Sequence, residues 1–186
     1  MANQSPTFYD SKPFQFSPEA AAEAKRVMTF FPEGKQKSAI LRLLHLAQDE
    51  AGGWLPIAAM DHVAEVLSVK PIEVYEVATF YSMFNIQPVG KYLLEVCQTG
   101  PCMAEGSDKI IEYLSKKLGI EVGGTTADGM FTLKAVECLG ACGYAPMLQL
   151  GDRFHEFLDE EKVDKLLADC RAGLVPNQRL KLALKH

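Results

Sequence analysis

Two short runs, EVCQTGPC at Glu95–Cys102 and ECLGACG at Glu137–Gly143, carry four of the five cysteines in the chain. Four residues separate Cys97 from Cys102, three separate Cys138 from Cys142, and 35 lie between the pairs. Thiolates are soft ligands, and four of them suit either a zinc ion or an iron–sulfur cluster. Structural zinc sites usually take C-x-x-C knuckles, whose tight turns aim two sulfurs at one ion. The wider spacings here hold the sulfurs farther apart, as the separate metal corners of a two-iron cluster require. The plant-type ferredoxin spacing is absent, and a Rieske centre would need two histidines close to the cysteines. His45, His62, His155 and His186 all lie away from both pairs in the sequence. A thiol–disulfide exchanger would want C-x-x-C at a helix N-terminus, and there is none.

Composition and compartment favour metal over disulfide. The first sixteen residues, MANQSPTFYDSKPFQF, have no charged segment leading into an apolar one, and they are not Arg-rich. They read as neither a secretory nor a transit signal, so the protein is expected in the cytoplasm. There disulfides are uncommon, and an odd count of five cysteines fits a disulfide framework poorly. The net charge of −5 argues against nucleic acid as the main ligand, because phosphate binding normally needs a basic face. No apolar run is long enough to span a membrane. At 186 residues, with 48% hydrophobic and 23% charged, the chain can build one good core or two small modules.

The elements that must hold the cysteines follow from periodicity. Residues 1–16 read as an extended arm. Ser17 caps a helix over Ser17–Phe31 with Pro18 at its first position, and Lys35–Gly53 repeats its apolar residues at Ile40, Leu43, Leu44 and Ala47. A third helix is expected over Ile57–Val69. The fourth, Pro71–Phe84, is apolar nearly all round, which predicts burial on most sides, either as the centre of its bundle or with part of it against a partner. Phe80, Tyr81, Met83 and Phe84 are the expected partner contact. Near Gly90 the period switches from helical to alternating. Lys91–Cys97 and Phe131–Cys138 read as strands that each run into a cysteine pair, with Ala135 and Val136 expected to be buried. Between them Ser107 caps a helix over Ser107–Gly119, whose inner stripe is Ile110, Ile111, Leu114 and Leu118. Met147–Phe157 is a hairpin turning at Gly151–Asp152, and Asp159–Gly173 closes the fold as a helix. The fold class is therefore α+β: an arm at 1–16, a helical bundle at 17–88, a β-α-β-β-β-α domain at 89–175, and a basic tail at 176–186.

The loops suit a buried anionic cluster, which needs N–H donors around its sulfurs. Thr99, Gly100, Gly140, Ala141 and Gly143 are small enough for the backbone to approach closely, although each glycine could serve turn geometry alone. Glu95 and Glu137 precede the pairs and read as solvated strand-end carboxylates. Cys170 follows Val163, Leu166 and Leu167 along one helix face, where cysteine acts as a small hydrophobe, so it is not counted as a ligand.

Together VCQTGPC, TTADGMFTL, VECLGACGYAPML and EVATFYSMF resemble the thioredoxin-like 2Fe–2S subunit of the NADH dehydrogenase module of respiratory complex I, NADH:quinone oxidoreductase. That family is shared with NAD-linked hydrogenases and formate dehydrogenases. The resemblance covers about residues 17–175. It implies a helical region, a thioredoxin-like domain without the thioredoxin dithiol, and one 2Fe–2S cluster with Cys97, Cys102, Cys138 and Cys142 on the ligand positions. It also implies that FMN and NADH sit on a partner flavoprotein subunit, with a larger iron–sulfur subunit nearby, in a peripheral arm on the cytoplasmic side of the inner membrane. The chain itself has no G-x-G-x-x-G or Walker-type loop. The competing reading, from a different class, is a zinc-stapled structural adaptor.

Overall fold

The computed structural model describes residues 13–176; the first twelve residues of the expected arm and the tail beyond Pro176 lie outside the described residues. The chain divides into two compact units, Met1–Pro88 and Val89–His186.

The first unit is all helical. α1 (Pro18–Met28) starts as its sequence demands, with the Ser17 hydroxyl accepting the Ala20 N–H at 3.2 Å. A 3-10 turn at Gln36–Ala39 leads into α2 (Ile40–Glu50), followed by α3 (Ile57–Leu67) and α4 (Pro71–Phe80). Leu43, Leu44, Leu55, Val63 and Val74 form the centre of its core. Of the arm, residues 13–16 are described, Phe14 and Phe16 among them. Both rings pack edge-on against His62, whose Nε2 accepts the Phe16 N–H at 3.3 Å.

α4 departs from expectation. It stops at Phe80, four residues early, and only Val74 and Ala78 on it are buried. The Thr79 hydroxyl donates back to the Tyr75 carbonyl at 2.7 Å, an alternative partner that weakens a helix. The next residue but one, Tyr81, is extended. The chain then turns Phe84 inward, where it is 5% exposed and packs on His45. Ile72, Phe80, Tyr81 and Met83 stay on the surface, Phe80 at 79% exposure. The helix is therefore not the buried centre of its bundle, and Phe84 does not belong to the outward group.

The second unit carries a four-stranded sheet in the order β2-β1-β3-β4. β1 (Tyr92–Cys97) and β2 (Phe131–Val136) are parallel neighbours, joined through α5 (Gly100–Ala104) and α6 (Ser107–Leu118). β3 (Leu148–Leu150) runs antiparallel to β1 and turns into β4 (Arg153–His155), and α7 (Glu160–Arg171) follows. Strands joined in parallel need such a crossover, and the helices in it supply Ile110 and Leu114 to the core of Tyr92, Leu94, Phe131 and Leu133. Gly90, just before β1, lies against β2 so closely that a Cβ there would be 2.9 Å from the Phe131 carbonyl carbon and 3.0 Å from the Gly129 oxygen.

Smaller differences have local causes. β2 ends at Val136 rather than Cys138, and Ala135 and Val136 are half-buried: the backbone of residues 123–126 hydrogen-bonds along the outer side of β2 at Phe131 and Leu133, short of those two residues. β4 stops at His155, before Phe157 takes a positive φ of 49°. Gly106 occupies the cap position of α6, where the sequence suggests Ser107. Ser107 is instead the first helical residue, with its buried hydroxyl lacking a partner. Asp159 caps α7 as expected, its carboxylate accepting the Lys162 N–H at 2.7 Å.

Candidate metal centre

Parallel pairing decides where the cysteines go. Cys97 is opposite Val136 in the β1–β2 register, so both strands end at the same edge of the sheet and both loops leave from it. Cys97 is the last residue of β1, and its N–H donates to the Met147 carbonyl at 3.2 Å; the following Gln98 N–H donates to Val136 at 3.0 Å. The chain then enters α5, a single turn started by Pro101 after Thr99. That turn carries Cys102 inward. Cys97 and Cys102 are each 1% exposed and pack against Ala145, Met147, Leu139 and Ala141. Leu139 and Ala141 come from the second cysteine loop, so the two loops meet here.

The second pair is built differently. Gly140 has φ +79°, a left-handed conformation that glycine adopts without strain, and this folds the loop back on itself. The Gly140 N–H thereby donates to Cys138 Sγ at 3.4 Å. A 3-10 turn at Cys142–Tyr144 then brings Cys142 Sγ to 3.7 Å from Cys138 Sγ, and both residues are exposed. Two thiolates on one tetrahedral ion, with bonds of about 2.3 Å, lie roughly 3.8 Å apart. The Cys138–Cys142 separation fits one metal corner, so the three-residue spacing does not hold this pair of sulfurs farther apart than a single ion takes, contrary to the expectation from spacing.

Charge is unevenly shared within each pair. Burial opposes ionisation of Cys97, yet hydrogen bonds from the Thr99 side chain and backbone, from Cys102 and from the Leu139 backbone outweigh it and hold the thiol below its ordinary value. Cys102 is pushed up to about 11 by burial and by the neighbouring Cys97. The Gly140 N–H, then Cys142, lower Cys138, while Cys142 is raised by donating to Cys138 and by that sulfur's charge. Within each pair one thiol is thus lowered and its partner raised; a bound metal would take both as thiolates.

Thr99 does more than its small size implies. Its hydroxyl is 3.3 Å from Cys97 Sγ, and it also stabilises the Cys138 thiolate, so one residue reaches both loops. The sequence carries a signal for its position: threonine before Gly100-Pro101 marks the start of a helical turn. Glu95 also departs from expectation. It is half-buried within β1 beside Lys134 Nζ at 3.7 Å, and burial raises its pKa against the pull of that lysine. Glu137 is exposed. Cys170 lies in the core with Val163, Leu166 and Leu167, and burial pushes its thiol up to about 11. Among the described residues, no three His, Cys, Asp or Glu side chains converge as the ligands of a single ion.

The fold and its two thiol pairs define a class: a mixed-sheet domain with helices, in which two cysteine pairs leave from the ends of two parallel strands. The chain belongs to the family described as thioredoxin-like [2Fe-2S] ferredoxin, whose sequence model matches residues 24–171. That family implies a 2Fe–2S cluster, and the four thiols with N–H donors around them fit one. An NADH-quinone oxidoreductase subunit of Rickettsia felis is 48% identical over 154 residues, covering 83% of this chain and 92% of the relative. NADH dehydrogenase [ubiquinone] flavoprotein 2, mitochondrial, of Dictyostelium discoideum is 44% identical over 155 residues, 83% of this chain and 63% of that protein. Among solved structures, the NAD+-reducing [NiFe]-hydrogenase in its H2-reduced state aligns with a TM-score of 0.65 at 23% identity, over 74% of this chain. Because this chain spans only 23% of that hydrogenase chain, the likeness shows the fold alone.

Proposed function

We propose that this chain is the 2Fe–2S electron-transfer subunit of an NADH:quinone oxidoreductase, and that Cys97, Cys102, Cys138 and Cys142 hold its cluster. When bound, the cluster supplies one-electron exchange, here with FMN on a partner subunit that oxidises NADH. The observation that carries this reading is the delivery of two thiol pairs to one sheet edge. A single zinc ion would need three or four protein ligands converging on it. A two-iron cluster needs two thiolates per iron, because inorganic sulfide fills the other corners. Two pairs without a converging triad among the described residues favour the second arrangement. The relatives at 48% and 44% identity support the complex I assignment over a hydrogenase or a formate dehydrogenase, since one is an NADH-quinone oxidoreductase subunit and the other an NADH dehydrogenase [ubiquinone] flavoprotein.

The chain's own contributions are positional and electrostatic. β1 and β2 present Cys97 and the Cys138 loop on paired backbones, so the sulfurs are held by the sheet. Thr99 and the Leu139 and Gly140 backbones stabilise thiolate charge. Ala145, Met147, Leu139 and Ala141 exclude water from the inner pair. The surface residues Phe80, Tyr81 and Met83 form the proposed flavoprotein contact, and a larger iron–sulfur subunit completes the neighbourhood. The subunit then works in a peripheral arm on the cytoplasmic side of the membrane; no helix among the described residues is long and apolar enough to cross one.

Anaerobic purification tests the reading. The expected product is red-brown, with iron and acid-labile sulfide in equal, stoichiometric amounts, and it co-purifies with a flavoprotein. A colourless, zinc-containing protein would establish the structural adaptor in its place.

A further inference from the structure

The five thiols differ sharply in access. Cys97, Cys102 and Cys170 are each 1% exposed, whereas Cys138 and Cys142 lie on the surface with their sulfurs 3.7 Å apart. A disulfide needs about 2.05 Å between sulfurs. The remaining gap of about 1.7 Å lies within one exposed loop, where, chain neighbours aside, no heavy atom of the described residues is within 4 Å of where a Cβ would stand on Gly140 or Gly143. The inner pair has no such freedom, since Ala145, Met147, Leu139 and Ala141 are packed on it.

We propose that Cys138 and Cys142 form an oxidation site in the cluster-free chain, closing to an intramolecular disulfide with a low-molecular-weight disulfide of the glutathione class while Cys97 and Cys102 stay reduced. The thiolate of Cys138 attacks one sulfur of the small disulfide and expels one thiolate, leaving a mixed disulfide on Cys138. Cys142 then attacks the Cys138 sulfur and expels the second. The protein pair loses two electrons and two protons, and the small disulfide is reduced to two thiols. This closure removes two of the four proposed ligands. The chain is thereby barred from accepting iron until a thiol reductant reopens it, a consequence that rests on the function proposed above.

Tryptic peptides separate the cases, because Cys138 and Cys142 fall together in Ala135–Arg153, Cys97 and Cys102 in Tyr92–Lys109, and Cys170 in Leu166–Arg171. The full chain is stripped of metal anaerobically, incubated with oxidised glutathione, denatured, alkylated and digested. Ala135–Arg153 is expected unalkylated and lighter by two hydrogens than its reduced form, with the other two peptides fully alkylated. Cys142→Ser is expected to stop at the mixed disulfide and keep glutathione on Cys138. Iron and sulfide supplied without thiol should then load the reduced chain and not the oxidised one, with loading restored by dithiothreitol. A disulfide in Tyr92–Lys109, a link between the two peptides, or a glutathione adduct that persists in the unaltered chain would overturn the proposal, as would undiminished loading of the oxidised chain. If the reduced chain also refuses iron and sulfide, the cluster reading fails, and the peptide map still decides the oxidation site.

Discussion

Replacing Phe80 with Asp separates a partner surface from a structural helix. Phe80 is 79% exposed, and its only described ring contact is an edge-on one with Tyr81 at 5.1 Å. In the isolated chain the substitution removes little buried area, so it should change stability by less than about 1 kcal/mol. For a unit of this size that is a shift in melting temperature of less than roughly 8 °C. In a complex the arithmetic differs. Burying a phenylalanine side chain is worth about 1.5–3 kcal/mol, and its loss alone weakens binding about 10- to 150-fold. Asp left unpaired in the contact weakens it further. Phe84→Asp supplies the contrast, since Phe84 is 5% exposed and packs at a tilt on His45 in the core; it should unfold the helical unit. The assay is a thermal melt of each purified variant, its iron content, and titration of the flavoprotein subunit. The expected result for Phe80→Asp is an intact melt, an intact cluster and lost binding. Unfolding by Phe80→Asp, or full-strength binding, would refute the surface assigned to α4.

Three further outcomes can be measured. Alanine at Cys97, Cys102, Cys138 or Cys142 should sharply lower bound iron and sulfide, whereas Cys170→Ala should leave both nearly unchanged and be felt only as a modest loss of core stability in denaturant unfolding. His45 is held below its ordinary pKa by burial, then by Arg42, so the folded chain prefers it neutral. Stability should therefore be full above about pH 6.5 and fall as pH drops through the unfolded-state value toward the lower folded one, with a shallower slope in His45→Gln unfolding curves. Gly90→Ala forces a methyl to within 3.0 Å of β2 backbone atoms and should destabilise the sheet unit by about 1–3 kcal/mol, while Gly100→Ala, with open space around it, should not.

What can be read from the sequence is whatever rests on local chemistry repeated along an element. The alternating residues of β1, the Gly151 hairpin, the Asp159 cap and the apolar face ending at Cys170 each involve a few neighbouring positions, and each appears in the fold. The exposure of α4 is not legible, because an all-round apolar helix reads the same whether its outer face meets its own bundle or another surface. The step from Ser107 to Gly106 at the cap of α6 depends on how α5 ends, and α5 is a five-residue turn too short to show a period. Glu95 reads as a strand-end carboxylate because the sequence does not say that Lys134 stands across from it on β2. At the centre, the cysteines are legible from spacing. Their division into an inner and an outer pair is not, since it follows from packing by Ala145 and Met147, which lie far beyond Cys102 in the chain.

The glycines of the outer loop admit a decisive test of why they are glycines. Two reasons compete: to let the backbone come close to sulfur, or to permit the turn. Around Gly140, chain neighbours aside, no heavy atom of the described residues lies within 4 Å of the place a methyl would take, and its N–H, which any residue but proline would supply, already reaches Cys138 Sγ. Its φ of +79° is what other residues resist, at about 1–2 kcal/mol for an ordinary L side chain. Turn geometry is therefore the reason at Gly140. Gly140→Ala should lose about 1–2 kcal/mol of stability and part of its iron, as the strained turn relaxes and withdraws the Gly140 N–H from Cys138. Gly140→Asn should lose less of both, because asparagine tolerates the left-handed region. Gly143→Ala, at a position without positive φ and with open space around it, should behave as the unaltered chain. If Asn proved as damaging as Ala, or Gly143→Ala as damaging as either, crowding rather than backbone conformation would be what these residues relieve.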